Sequence, residues 1–270
     1  MSAARVDPVW LALRADADRA ARASADPLAA ALARHLAARL ADHPRPARLV
    51  DVGAGTGAGA AWLRPRLPLA QDWRLVDNDG DLLRAASPVL EGWARPVPAD
   101  VCDLPALLAD EPADAVTCQA LLDLLTADEV HHMVDPAARA GSAAFFGLSV
   151  TGLVRLTPPH PDDGAIGEAF NAHQRRGGRL GPDAAAHASR MLRRHGYRVT
   201  EIATDWLLDA TRIELTVAWL RGRAAAAAEQ VPVLADRITR WLGERVAAAQ
   251  RGDLTASVRH VDVLGIPPDR

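Results

Sequence analysis

The segment Leu49-Val-Asp-Val-Gly-Ala-Gly-Thr-Gly57 joins a short apolar run to a helical stretch, and few folds accommodate such a junction. Glycine spacing of this kind, leaving a strand and opening a helix, is what a nucleotide-binding turn requires. The glycines permit a tight turn and close approach of a ligand to the backbone, while the helix start offers free N–H groups. Taken alone the loop is ambiguous, because Gly53, Gly55 and Ala58 also satisfy the dinucleotide pattern G-x-G-x-x-G/A.

From position 48 onward, short apolar runs alternate with helical stretches, which predicts βαβ units and a mainly parallel sheet with helices on both faces. The expected strands are 48–52, 73–77, 95–99, 115–119 and 143–149. The expected helices are 57–67, 79–87, 105–110 and 126–140, the last opening on the capping box Thr126-x-x-Glu129. Before the sheet, 9–23 and 26–41 read as two helices, so 1–44 is expected to be a helical cap on a domain spanning 45–270. The alternation breaks over 153–196, read as a helical insertion on the acceptor side with helices at 165–175 and 183–195. A strand at 198–203, helices over roughly 211–229 and 232–250 and a last strand at 256–264 complete the chain.

Two acids narrow the ligand. Asp51 closes the first strand just before the glycines, where it would repel a pyrophosphate by several kcal/mol if poorly screened. It suits a ligand with a positive end and no phosphate, although the same residue would also serve simply to cap the turn. Asp77 closes the second strand 24 residues after Gly53, the position from which an acid takes ribose hydroxyls, and Asn78 follows it.

Residues 48–150 resemble the core of the class I S-adenosylmethionine-dependent methyltransferases. The glycine loop and ribose acid are the first two motifs. Ala99-Asp100-Val101-Cys102-Asp103 resembles the third, and Ala113-Asp-Ala-Val-Thr-Cys-Gln119 the fourth. The resemblance implies a Rossmann-like α/β fold with an antiparallel C-terminal strand pair. It implies S-adenosylmethionine as cofactor, S-adenosylhomocysteine as product and methyl transfer by in-line displacement. Asp51, Gly53, Ala54, Gly55, Asp77 and Asn78 would hold the donor. Asp100 and Val101 would meet its adenine, and Cys118, Gln119 and Ala120 would line its methionine part. The fourth motif lacks the Asn/Asp-Pro-Pro-Tyr/Phe pattern of enzymes acting on planar amino groups such as DNA bases.

The acceptor side leaves a weaker trace, since methyl transfer needs alignment first and a base only if the acceptor sheds a proton. Asp123, directly after the fourth motif, and His173 are the candidate bases. Arg175, Arg176 and Arg179 are candidate anion holders, and Arg14 is a candidate for the methionine carboxylate if the N-terminal helices form a lid. The expected partner is a small-molecule acceptor, neither nucleic acid nor membrane. The alternatives are a non-catalytic domain binding the donor or a protein partner, and an NAD(P)-dependent oxidoreductase.

Composition sets the outer bounds. All 31 basic residues are arginine, which a GC-rich genome explains, and the net charge of −3 advertises no nucleic acid. Cys102 and Cys118 form no CxxC pair and no histidine stands at metal spacing, so no metal is expected. The start lacks a signal peptide's apolar run and no stretch approaches a spanning helix, so the expectation is a cytoplasmic protein.

Overall fold

The computed structural model describes residues 7–90 and 92–268, so residues 1–6 of the expected cap lie outside the description. Helices α1 (Pro8–Ala23) and α2 (Asp26–Arg39) come first. Asp7 caps α1 by accepting the Val9 N–H at 2.9 Å, and a proline stands in the first turn of each helix, where a missing N–H costs nothing. Then come β1 (Ala47–Val52), α3 (Ala58–Leu63), β2 (Gln71–Asp77), α4 (Gly80–Leu90), β3 (Ala94–Pro98), α5 (Leu104–Asp110), β4 (Ala115–Gln119), α6 (Ala127–Ala140) and β5 (Ala143–Thr157). The chain closes with α7 (Asp163–Gln174), α8 (Ala184–Arg194), β6 (Arg198–Ala203), β7 (Trp206–Leu208), α9 (Ile213–Gln230), α10 (Ala235–Gln250) and β8 (Thr255–Ile266).

The sheet runs β3-β2-β1-β4-β5-β8-β6, with β7 also pairing β8. The first five strands are parallel, while β8 is antiparallel to both β5 and β6. Strand order reverses between β1 and β4, so the crevice beyond their carboxyl ends is where such a sheet receives a ligand.

Alternating side chains build two cores. Leu49, Trp73, Leu75 and Phe145 face α2, α3 and α4, meeting Leu28, Leu32, Trp62 and Leu83. Val50, Val76, Val116 and Phe146 face α5, α6 and α8, meeting Leu108, Met133, Val134 and Leu192. A third core lies outside these layers, where Trp206, Trp219, Leu220 and Trp241 join α1, α7, α9 and α10 to the far end of the β5–β8 ladder.

Three features depart from the sequence reading. Strand β5 does not stop at 149 but continues to Thr157, because its far half pairs with β8 alone through Thr157↔Thr255. The register shifts between Phe146 and Ser149, where Leu148 takes φ +52°. Helix α8, expected above the acceptor, instead covers the sheet with α6, since Ala188, Met191 and Leu192 are apolar on one side. Strand β7, of three residues, left no alternating pattern long enough to read.

Candidate functional site

A cleft of about 830 Å³ opens at the carboxyl ends of β1, β2 and β4 and extends over the third core. Its floor is the glycine loop. Gly53 has φ +64° and lies so close to Leu121 that an added Cβ would stand 2.4 Å from the Leu121 Cδ2. Gly55 has φ +55° with open space where a Cβ would be, so the loop leaves room above it.

Asp77 is bound into this loop. Its Oδ2 accepts the Gly55 N–H at 2.8 Å and its Oδ1 accepts the Asp79 N–H at 2.8 Å. Carboxylate oxygens accept more than one hydrogen bond, so both keep capacity for hydroxyl groups from the cleft. Asp100 stands alongside, accepting from the Cys102 N–H at 3.1 Å and from the Asn78 amide at 3.1 Å. The Cys102 N–H bond, with help from Asn78, outweighs its partial burial and holds this carboxyl below the ordinary carboxylate range. Asn78, Val101, Ala54 and Gln119 also line the cleft.

Two residues expected at the ligand are sealed beneath it. Asp51 is 1% exposed and lies behind the loop, accepting from Thr117 Oγ1 at 2.6 Å and from the Ala60 backbone. Burial pushes its pKa up to about 6, against the lowering effects of Thr117 and Arg22. Its carboxylate is absent from the cleft lining and lies against α3, where a Cβ on Gly59 would stand 3.5 Å from its Oδ2. Cys118 is also fully buried, one step along β4 from the cleft-lining Gln119, and burial drives its thiol pKa well above the ordinary value. Gln119 turns outward with Ala120 after it at φ +54°, an unusual value for a residue other than glycine and one that collects at functional sites.

The two candidate bases part company. Asp123 lines the cleft, and no side chain is bonded to it among the described residues. Its surroundings desolvate it and raise its pKa to about 6. His173 is not among the residues lining the cleft; its Nε2 lies 3.2 Å from Glu229 of α9. Arg175 and Arg176 are spent on Asp183 and Glu229.

Helix α1 supplies a wall that the sequence reading only touched on through Arg14. Arg14 pairs with Asp18 at 2.9 Å, its guanidinium 5.2 Å from the Trp206 ring, while the Trp206 indole N–H donates to Asp18 Oδ1 at 3.0 Å. Arg22, buried further along, reaches Gln119 Oε1 at 3.4 Å. Trp10, Trp206, Trp219, Arg223 and His260 line the far half of the cleft. His260 stacks 5.0 Å from Trp206, and burial lowers its pKa to about 4, leaving a neutral ring whose Nδ1 meets the Val258 carbonyl at 2.9 Å. The tryptophans belong to apolar stripes that look like ordinary core, so no local signal marks them. Among the described residues no group of three or more His, Cys, Asp or Glu could hold a metal, and no helix is long and apolar enough to cross a membrane.

No protein-family model matches the chain, and no curated protein matches it significantly. Solved structures do. A cyclopropane-fatty-acyl-phospholipid synthase-like protein from Lactobacillus casei is 15% identical, over 87% of this chain and 90% of that one, with a TM-score of 0.51. A cyclopropane synthase from Mycobacterium tuberculosis is 13% identical, over 88% and 83%, with a TM-score of 0.46. A geranyl diphosphate methyltransferase solved in complex with S-adenosylmethionine is 12% identical, over 88% and 85%, with a TM-score of 0.44. The chain thus shares the fold of that synthase-like protein, a Rossmann-like mainly parallel sheet with an antiparallel C-terminal strand pair.

Proposed function

We propose that this protein transfers a methyl group from S-adenosylmethionine to a small-molecule acceptor. The observation that carries this reading is a single cleft with two chemically different halves. One half presents carboxylates and a glycine loop; the other presents tryptophans, Asp123 and His260. In the first, Asp77 would take the ribose hydroxyls, and Asp100 with the Val101 backbone would take the adenine edge. Arg14 and Arg22 would face the methionine carboxylate, with Asp18 and Gln119 near its ammonium. The Gln119 Nε2 is buried with no partner of its own, which suits a residue completed by a ligand.

The loop argues against a dinucleotide. A pyrophosphate needs the free N–H groups of the turn and of the helix start. Here the Gly55 N–H already donates to Asp77, so a protein carboxylate occupies the turn where a pyrophosphate would sit.

The bound sulfonium supplies an activated methyl for in-line displacement, and the chain's contribution is alignment, exclusion of water and removal of a proton where the acceptor requires it. Helix α1, held by the Asp18–Trp206 bond, would be the cover that keeps water out, with α2 anchoring it on the sheet. Asp123 is the residue we assign to the proton. A carboxylate with a pKa near 6 is ionised at neutral pH yet more basic than an exposed aspartate. A free small molecule fits this enclosure better than a base in a duplex or a lipid in a bilayer. Calorimetry with S-adenosylmethionine, S-adenosylhomocysteine, NAD and NADP tests the reading: the first two should bind and the others should not. NAD binding with no response to the methyl donor would end it.

A further inference from the structure

We propose that the acceptor carries an anionic group, a carboxylate or a phosphate, on an otherwise apolar body, and that Arg223 pairs with it. The proposal rests on the reading of the cleft as a methyl-transfer site and adds the chemical class of the acceptor.

Arg223 lies on α9 in the acceptor half of the cleft and is 5% exposed. Its guanidinium sits over two rings, 4.7 Å from the centre of Phe170 and 5.4 Å from that of Trp219. Among the described residues it has neither a hydrogen bond nor an ion pair. The acid that acts on it from nearby, Asp163, is already bonded to Trp241 Nε1 at 2.8 Å and to Arg245. The other buried arginines are provided for. Arg74 meets the Leu107 and Glu111 carbonyls, Arg245 meets Asp163 and the Pro158 carbonyl, and Arg22 meets Gln119 with Asp18 nearby.

A guanidinium carries five N–H donors, and withdrawing it from water without acceptors is costly. Aromatic faces offset part of that cost but accept no in-plane hydrogen bond. Burial lowers the Arg223 pKa to about 10, so the charge persists at neutral pH. The neighbouring helix has also made room for it: a Cβ on Gly167 of α7 would stand 2.9 Å from Arg223 Nη2. Glycine inside a helix costs stability, and here it leaves the guanidinium its place. A carboxylate or phosphate is the partner whose geometry answers the guanidinium fork. The rings around it, together with Leu153 and Val154, would receive the apolar remainder.

The test uses the full chain loaded with S-adenosylhomocysteine and titrated with matched pairs: phenylacetate and phenylacetamide, indole-3-acetate and indole-3-acetamide, octanoate and octanamide, phenyl phosphate and phenol. At least one acid should bind ten-fold or more tighter than its neutral partner, and the carboxylate and phosphate arms show which anion is preferred. Arg223→Met should reduce that preference to within two-fold while S-adenosylhomocysteine affinity stays within two-fold, and Arg223→Lys should retain part of it. The ligand-free Arg223→Met protein should melt no lower than the parent, since it loses a charge with no protein partner. Equal binding of acids and neutral partners, or a preference that survives Arg223→Met, overturns the proposal. So does loss of S-adenosylhomocysteine binding in Arg223→Met, or a variant that collapses while Arg223→Lys shows no preference. Failure of the parent protein to bind S-adenosylhomocysteine is a separate result and overturns the methyl-transfer reading instead.

Discussion

The Gly55 backbone N–H donates to Asp77 Oδ2 at 2.8 Å, so the turn after β1 and the acid ending β2 form one unit before any ligand arrives. Replacing Asp77 should therefore act twice, removing a partner for the ribose and loosening the loop beneath it. Asp77→Ala is expected to weaken S-adenosylhomocysteine binding by about 2–3 kcal/mol, the scale of a lost charge-assisted hydrogen bond. Asp77→Asn, which keeps an acceptor for Gly55, should lose less. Calorimetry on both variants decides it, and an unchanged dissociation constant would remove Asp77 from the donor site.

The role proposed for Asp123 would set activity against stability. Its folded pKa of about 6 lies above the roughly 3.9 of an unfolded aspartate, so the native state favours the protonated form. The cost of holding it ionised is absent below about pH 4, grows between 4 and 6 and is full above. Asp123→Asn should accordingly be more stable than the parent at pH 7.5 by up to about 2 kcal/mol, with the gain vanishing near pH 4. Turnover should fall by about 10²-fold or more, and the limb of rising rate near pH 6 should disappear. Retained turnover with an intact limb would acquit the residue.

Gly147 is held between Gln119 and the buried Asp262. An added Cβ would lie 2.4 Å from Gln119 Oε1 and 2.8 Å from Asp262 Oδ2. Gly147→Ala should cost about 1–3 kcal/mol in urea unfolding, the usual scale of overpacking. Because Gln119 must swing away, donor affinity should fall as well. Normal stability and normal affinity together would show that the pocket floor yields more easily than its contacts suggest.

At the opposite end of the sheet, Asp114 is 2% exposed and gathers Arg45 at 2.6 and 2.8 Å, the Arg48 N–H at 2.9 Å and Arg39 at 3.2 Å. Burial raises its pKa, but the Arg45 and Arg48 hydrogen bonds outweigh that and leave it below the ordinary value. Its contribution is thus present above about pH 4 and lost as pH falls through the depressed pKa. Asp114→Ala should cost about 1–3 kcal/mol at pH 7, because the Arg48 N–H loses its charged acceptor while the part-exposed Arg45 and Arg39 turn to water. The gap should narrow in acid, and S-adenosylhomocysteine affinity should not change. A constant gap down to pH 2 would contradict the assignment.

How far the sequence could be read followed how local each signal was. The parallel half, β1 to β5, announces itself through alternating apolar runs, a glycine turn and the Thr126–Glu129 capping box, which the structure contains at α6. Asp77 and Asp100, expected from strand-end acids at fixed steps after the glycines, both line the cleft. Asp51 is buried while Val52 lines the cleft, because one step along a strand turns a side chain from one face to the other and the sequence alone does not say which face is open. His173 is absent from the cleft lining, and its pairing with Glu229 of α9, 56 residues away, leaves no local trace in the sequence. Arg223, Trp206, Trp219 and His260 converge from three separate elements of the third core, and nothing in their own neighbourhoods records the meeting.

The left-handed turn at Leu148 divides β5 into two segments with different dependencies. Residues before it are wedged between β4 and β8; those after it lean on β8 alone. Substitutions in the later segment and its partner arm reach Val150, Val154, Val258 and His260 without touching the strands that carry the glycine loop. If the cleft works as proposed, one half of it can be remodelled while the other is inherited unaltered, and divergence among descendants of this chain should accumulate on that outer ladder first.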